Sequence, residues 1–191
     1  MDPFSYLSVL TSIILGLGIQ QVLLGYRALI LSRRRVKFYA PPLVWSVLLL
    51  AMVAQHWWSS FHLAGRTEWS FAIFATILIQ TALIYMMTAI VLPDIPPDEP
   101  IDLKDHYYRE APAFFGIGAA TILWSLFREY MLEGRAPPPA NLAFHLLFLA
   151  MAAAAALVRR PRVHEALSGA MALLFAAYVA LLFARLAPGA G

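Results

Sequence analysis

Six long apolar stretches, separated by short polar or proline-rich stretches, make up most of the chain. Each has roughly 18 to 27 residues, and about 20 helical residues span the hydrocarbon core of a bilayer at 1.5 Å rise per residue. Strand-like alternation is absent, and only helices or closed barrels satisfy every backbone group in lipid. We therefore predict an all-α polytopic membrane protein, one domain over 1–191, with helices over about 5–31, 42–63, 68–92, 112–132, 141–158 and 163–186.

The connections carry signals that end and orient membrane helices. A basic cluster from Arg33 to Lys37 closes the first stretch, and Pro41 and Pro42 start the second, where proline loses no needed hydrogen bond. The one long polar stretch, 94–111, is acidic and proline-rich and is predicted to be a loop. With the N-terminus outside, ten basic residues fall on the inner side and four on the outer side. Because basic residues favour the cytoplasmic side, we predict both termini outside and the acidic loop inside.

Composition supports the membrane assignment and narrows the function. Hydrophobic residues are 61% of the chain and charged residues 13%, against about half and a quarter in soluble proteins. The formal charge of +3 encodes orientation, so no nucleic-acid partner is expected. Cysteine is absent, which excludes disulfides and Cys-ligated metal centres. No nucleophile motif, phosphate loop or metalloprotease pattern occurs, so we predict no catalytic or metal-binding residue and a non-enzymatic protein.

Two histidines are the candidate cofactor ligands. Counted from the helix ends, His56 and His145 lie at the same depth, roughly 9 to 11 Å below the outer boundary. Neutral imidazoles on facing helices can ligate a haem b iron axially. The alternative is that each histidine donates one hydrogen bond to a neighbouring helix. The spacing gives depth but not direction, so both interpretations stay open.

A second set of polar and aromatic residues is predicted to line the interior of the bundle. These side chains either wet a path through the bundle or form interhelical hydrogen bonds worth about 0.6 to 2 kcal/mol each. No Asp, Glu or Lys lies in the central part of a predicted helix, which argues against a proton- or sodium-driven carrier. The predicted interior set is Gln20, Gln21, Gln55, Gln80, Tyr85, Trp124 and Tyr178.

Two predicted helices carry small residues at intervals of four. Rows of this kind let another backbone approach closely, either within the bundle or from a second copy of the protein. Membrane lipids, a homo-oligomer or a larger membrane complex are therefore the expected partners. The rows are Ser8, Ser12, Gly16 and Gln20 on the first helix, and Ser168, Ala172, Ala176, Ala180 and Ala184 on the sixth.

Three functions fit these features. The first is a non-enzymatic transport or pore-type protein for a small solute or ion. The second is a haem- or quinone-binding electron-transfer subunit that uses His56 and His145. The third is an accessory subunit that packs on a larger membrane complex through its rows of small residues. Heavy use of Arg over Lys, with abundant Ala and Pro, indicates a GC-rich bacterial genome, so the expected location is the bacterial cytoplasmic (inner) membrane.

Overall fold

The computed structural model describes residues 2–94 and 100–182, and this part of the chain contains six helices long and apolar enough to span a membrane. The prediction of an all-α, six-helix membrane protein is confirmed, whereas the orientation of its termini stays a prediction. Residues 183–186, the end of the predicted sixth helix, lie outside the described residues. The elements are α1 Pro3–Leu31, β1 Val36–Lys37, α2 Ala40–Ser59, a 3-10 segment Ser60–Gly65, α3 Phe71–Ile90, β2 Ile101–Asp102, α4 Leu103–Glu133, α5 Pro139–Leu157 and α6 Pro161–Leu182.

The largest difference from the predicted boundaries is at α4, which begins at Leu103. Asp102 caps it, because its Oδ1 accepts the backbone N–H groups of Lys104 at 3.0 Å and Asp105 at 3.2 Å. The Asp105 donor, with smaller contributions from Lys104 and Lys37, holds the pKa of the Asp102 carboxyl below its usual value. The cap therefore outweighs Pro112, which lies inside the helix instead of starting it. The predicted acidic loop over 94–111 is helical from residue 103 onward.

A short parallel strand pair joins two connections at one end of the bundle. Val36 pairs with Ile101 and Lys37 with Asp102. The Lys37 ammonium also lies 3.5 Å from the Asp102 carboxylate. Because β1 lies between α1 and α2 and β2 lies between α3 and α4, both connections are at this end. The opposite end holds the C-termini of α2 and α4 and the N-termini of α3 and α5.

The helices form a closed ring in the order α1, α3, α4, α5, α6, α2. The helices α2 and α3 also contact each other directly, so α1 packs on their outer side. The largest cluster of buried residues lies inside the ring, and its aromatic members come mainly from α2, α4, α5 and α6. A cavity lies inside the ring and extends towards the opposite end.

Two glycines allow α1 to lie close against α3. A Cβ at Gly18 would lie 2.9 Å from Thr88 Oγ1, and one at Gly25 would lie 2.7 Å from Leu92 Cδ1. The predicted row of small residues on α1 is not this packing face, since Ser12, Gly16 and Gln20 are all exposed. A spacing of four places small side chains on one side of the helix, but it does not indicate whether that side faces the bundle. On α6, Ser168 is buried, Ala176 and Ala180 are exposed, and Ala184 lies outside the described residues.

We expect Gly25→Leu to destabilise the bundle by about 1 to 3 kcal/mol, because the added side chain overlaps Leu92 and separates α1 from α3. Gly16→Leu is the matched control, since it makes the same change on the same helix where no atom lies within 4 Å of a new Cβ. Thermal unfolding in detergent, followed by tryptophan fluorescence, measures both variants. Equal midpoints for the two would contradict the α1–α3 packing.

Candidate functional site

A cavity of about 410 Å³ lies inside the ring. Its walls come from α2, α3, α4, α5 and α6 and from the α4–α5 connection, and no described residue of α1 lines it. Along α2 the lining runs from Trp45 to Ser59 and continues to His62 in the 3-10 segment. The 14 helical steps from Trp45 to Ser59 correspond to about 21 Å at 1.5 Å rise per residue. The cavity therefore reaches through much of the membrane-spanning part of the bundle.

The end of the cavity nearer the strand pair is apolar and closed. Trp45 packs edge-on against Phe114 and Phe115, with ring centroids 5.4 Å apart in both pairs. We call these three residues the floor. Beyond it, the next void has only about 10 Å³, which is room for about one water molecule. Above the floor, the apolar lining includes Leu48, Leu49, Met52, Ile84, Met87, Phe148, Ala152, Met171 and Phe175.

The opposite end of the cavity is polar and charged. It lies where α2 and α4 end and α5 begins, and its Glu133 and Arg135 are exposed. The contrast between an apolar interior and one charged end makes the cavity amphipathic along its length. We call this end the polar end; its residues are Gln55, His56, Ser59, His62, Ser125, Arg128, Glu129, Glu133, Arg135, Asn141 and His145.

The two predicted histidines both line the cavity and are both 5% exposed. His56 Nε2 lies 3.2 Å from the Thr81 hydroxyl. That hydroxyl donates to the Ile77 carbonyl at 2.9 Å, so His56 Nε2 is the donor of the pair. In His145, Nδ1 donates to the Asn141 carbonyl at 2.9 Å and Nε2 accepts from the Ser125 hydroxyl at 3.2 Å. These tautomers follow from the hydrogen-bond network.

This network does not fit the predicted haem ligation. An iron ligand needs a free imidazole nitrogen, and His145 uses both of its nitrogens within the protein. The alternative, that each histidine donates one hydrogen bond to a neighbouring helix, fits His56, which donates to Thr81 of α3. His145 donates within α5 and joins α4 only as the acceptor of the Ser125 bond. Among the described residues, no group of three or more His, Cys, Asp or Glu side chains is placed to hold a metal ion.

The other predicted interior residues divide into two groups. Gln55, Gln80 and Tyr178 line the cavity. Gln20 and Gln21 do not, because both lie on the exposed side of α1. The reason is that α1 contributes only one side to the bundle, and that side carries Gly18 and Val22.

Tyr85 and Trp124 were also predicted to line the interior. Both are half-buried and lie outside the cavity lining. The Trp124 indole donates to the Thr76 carbonyl at 2.9 Å, so it joins α4 to α3 beside the cavity. Depth counting along a helix does not give the direction in which a side chain such as Trp124 points.

Several buried polar atoms at the cavity lack a partner. Gln80 is 4% exposed, and its Nε2 makes one long bond of 3.4 Å to the Thr121 carbonyl. Its Oε1, the Nε of Arg128 and the Oδ1 of Asn141 are buried with no hydrogen-bond partner. Unsatisfied buried polar atoms are costly and uncommon in native structures. The side chains that carry these three atoms all line the cavity, so its polar part holds hydrogen-bonding capacity that the protein itself does not use.

Comparison with known proteins gives no relative. The chain matches no family model, no curated protein and no solved structure. The interpretation of the cavity therefore rests on its own residues.

Sequence reasoning missed part of this site. It did not predict the floor, because Trp45, Phe114 and Phe115 look like ordinary apolar helix positions. It also missed Asn141 and Ser125, although a usable signal was present. Asn141 and His145 are four apart on α5, and a spacing of four places both on one helix face. The same argument groups Ser125 with Arg128 and Glu129 on α4.

Proposed function

We propose that this protein is a non-enzymatic membrane protein that binds a small amphipathic molecule, with the apolar part inside the bundle and the polar part at the polar end. The observation that supports this most strongly is a cavity, open at its polar end, whose lining changes from aromatic and aliphatic to charged along about 21 Å. Ligand cavities are typically about 300 to 1,000 Å³ and mostly apolar with a few placed polar groups. The length is comparable with that of an extended fatty acyl chain.

This proposal refines the transport hypothesis. A pore needs a continuous wet path, and the floor of Trp45, Phe114 and Phe115 closes the cavity on one side. Binding from one side is compatible with a carrier or with a receptor that holds its ligand. With the predicted orientation, the polar end faces outside the cytoplasm. The bacterial inner membrane and a homo-oligomeric state stay predictions.

The electron-transfer hypothesis is the less supported alternative. Its haem form requires His145 as a ligand, and the hydrogen bonds to Asn141 and Ser125 occupy both ring nitrogens. Its quinone form is a special case of the amphipathic ligand, since a quinone has a polar ring and a long apolar tail. The accessory-subunit hypothesis makes no use of the cavity and stays a prediction.

The proposal is tested with a brominated fatty acid, which reveals its position in the protein by quenching the tryptophan beside it. Bromine quenches tryptophan on contact, and Trp45 is the lining tryptophan at the floor. The protein in phosphatidylcholine nanodiscs is titrated with dibromostearate, and the signal of Trp45→Phe is subtracted from that of the wild type. We expect the Trp45 signal to fall by more than half and to saturate.

The lipid-exposed tryptophans provide the internal comparison. Trp57 and Trp58 are 45% and 38% exposed, so membrane partitioning alone quenches them in proportion to the added acid, without saturation. Native mass spectrometry of the protein from detergent gives the mass of any co-purified ligand. If Trp45 were quenched no differently from the exposed tryptophans and no bound mass were found, the proposed function would be wrong.

A further inference from the structure

We infer that the ligand carries an anionic group, a carboxylate or a phosphate, and that Arg128 binds it at the polar end of the cavity. This inference rests on the proposed function and adds the chemistry of the head group. It begins from a charged side chain inside a membrane bundle. Such side chains are costly in a bilayer and are normally paired or placed at a functional site.

The Arg128 side chain is half-buried in the lining of the cavity. Within 2–94 and 100–182, no carboxylate forms a salt bridge with it. Its Nε is buried and has no hydrogen-bond partner. An arginine does not lose its proton in proteins, so this charge cannot be removed by neutralisation. An anion from outside the chain would supply the missing partner.

The acids near Arg128 are bonded to other residues. Glu129 accepts a 2.5 Å hydrogen bond from the Asn141 amide. Glu133 pairs with Arg135 at 3.8 Å. The Glu129 carboxylate lies near enough to act on the Arg128 charge, but no salt bridge joins the two. Among the described residues, neither acid therefore forms a direct ion pair with Arg128.

The surroundings of Arg128 suit a ligand head group. Arg128 lines the cavity together with His56, His62 and His145. Deeper in the cavity, Gln80 Oε1 is buried and unpartnered. Guanidinium groups bind carboxylates and phosphates through two parallel hydrogen bonds, which are among the stronger bonds available to a protein. The apolar chain of the same molecule would fill the cavity down to the floor.

The test compares two ligands that differ only in charge. Dibromostearate carries a carboxylate, and its methyl ester has the same chain without the charge. The ligand concentration that gives half-saturation of Trp45 quenching is measured for both ligands in phosphatidylcholine nanodiscs. We expect the wild type to bind the acid about tenfold more tightly than the ester, which corresponds to about 1.4 kcal/mol. Dodecyl phosphate and dodecanoate, added as competitors, distinguish a phosphate ligand from a carboxylate ligand.

The variants assign the preference to Arg128. In Arg128→Gln the acid-to-ester ratio is expected to approach one while the ester still binds, and in Arg128→Lys most of the preference is retained. Arg162→Gln is the control, because it removes an exposed base that does not line the cavity. It should leave the ratio within about twofold of the wild type, since exposed charges contribute little.

The outcomes separate this inference from the proposed function. An unchanged ratio in Arg128→Gln would overturn the anion assignment, even with saturable binding of both ligands. A ratio of one in the wild type would overturn it without any variant, should Arg128→Gln fail to fold. If neither acid nor ester bound saturably, the proposed function itself would fail. If acetate or inorganic phosphate competed as well as the long-chain anions, the acyl chain of the ligand would contribute nothing to the affinity. An amphipathic ligand would then be excluded.

Discussion

Filling the cavity just above its floor with Ala152→Phe is expected to abolish the saturable quenching of Trp45 by dibromostearate. Ala152 lines the cavity on α5 and is 5% exposed. A benzyl group at this position occupies the space that the end of the ligand's acyl chain would enter. Because the cavity leaves empty volume nearby, the destabilisation by overpacking should stay near the lower end of about 1 to 3 kcal/mol. The protein should therefore stay folded while its long-chain ligand is excluded.

Ala153→Phe is the matched control for this experiment. It adds the same ring one residue further along α5, on the exposed side, and should bind dibromostearate as the wild type does. Ile122→Trp lines the cavity nearer the polar end and should exclude shorter chains that Ala152→Phe still accepts. Wild-type quenching in Ala152→Phe, with a normal unfolding midpoint, would mean that the chain does not lie in this cavity.

The sequence predicts the fold well because the bilayer restricts the choices. Apolar stretches of sufficient length must be helices, and prolines and basic clusters mark most of their ends. The error at α4 has a specific cause. Proline was given more weight than Asp102, whose cap and pairing with Lys37 start the helix nine residues before Pro112. A proline inside a helix is tolerated when the surrounding structure compensates for the lost hydrogen bond.

The site is predicted only in part, for a different reason. His56 and His145, which counting from helix ends assigns to one depth, both line the polar end of the cavity. Such counting gives depth. It does not give the direction of a side chain around the helix axis. For that reason Gln80 and Tyr178 were correctly expected inside, whereas Gln20 and Gln21 are exposed. Direction depends on which helices are neighbours, and the ring order is a property of tertiary packing that no single stretch encodes.

The most buried histidine of the described chain was also missed. His164 is 1% exposed, and by sequence it looks like part of a basic turn at the start of the sixth helix. In the structure, its Nδ1 accepts from the Tyr107 hydroxyl at 2.9 Å and its Nε2 donates to the Val158 carbonyl at 2.5 Å. It also packs edge-on against Tyr107 and Tyr108, with centroids 5.3 and 5.1 Å away. One side chain therefore joins α4 to both sides of the α5–α6 connection.

We expect His164→Ala to destabilise the protein by about 3 to 5 kcal/mol, because it leaves a cavity and removes the partners of a buried hydroxyl and a carbonyl. Glu165→Ala, an exposed change at the next residue, should stay within about 0.5 kcal/mol of the wild type. Thermal unfolding in detergent measures both. A double-mutant cycle with Tyr107→Phe should give a coupling energy of about 0.5 to 3 kcal/mol if the bond to Tyr107 carries part of the loss.

The same substitution also connects stability to the cavity. Tyr107 packs edge-on against Phe115 at 6.3 Å, and Phe115 belongs to the floor. Releasing Tyr107 from His164 should therefore loosen the floor before the bundle unfolds, so His164→Ala is expected to weaken Trp45 quenching as well as stability. Glu165→Ala should change neither. If His164→Ala lowered the unfolding midpoint but left ligand binding intact, the contacts among the floor residues would be sufficient to keep the floor in place. The packing of Tyr107 and His164 against Phe115 would then not be needed for binding.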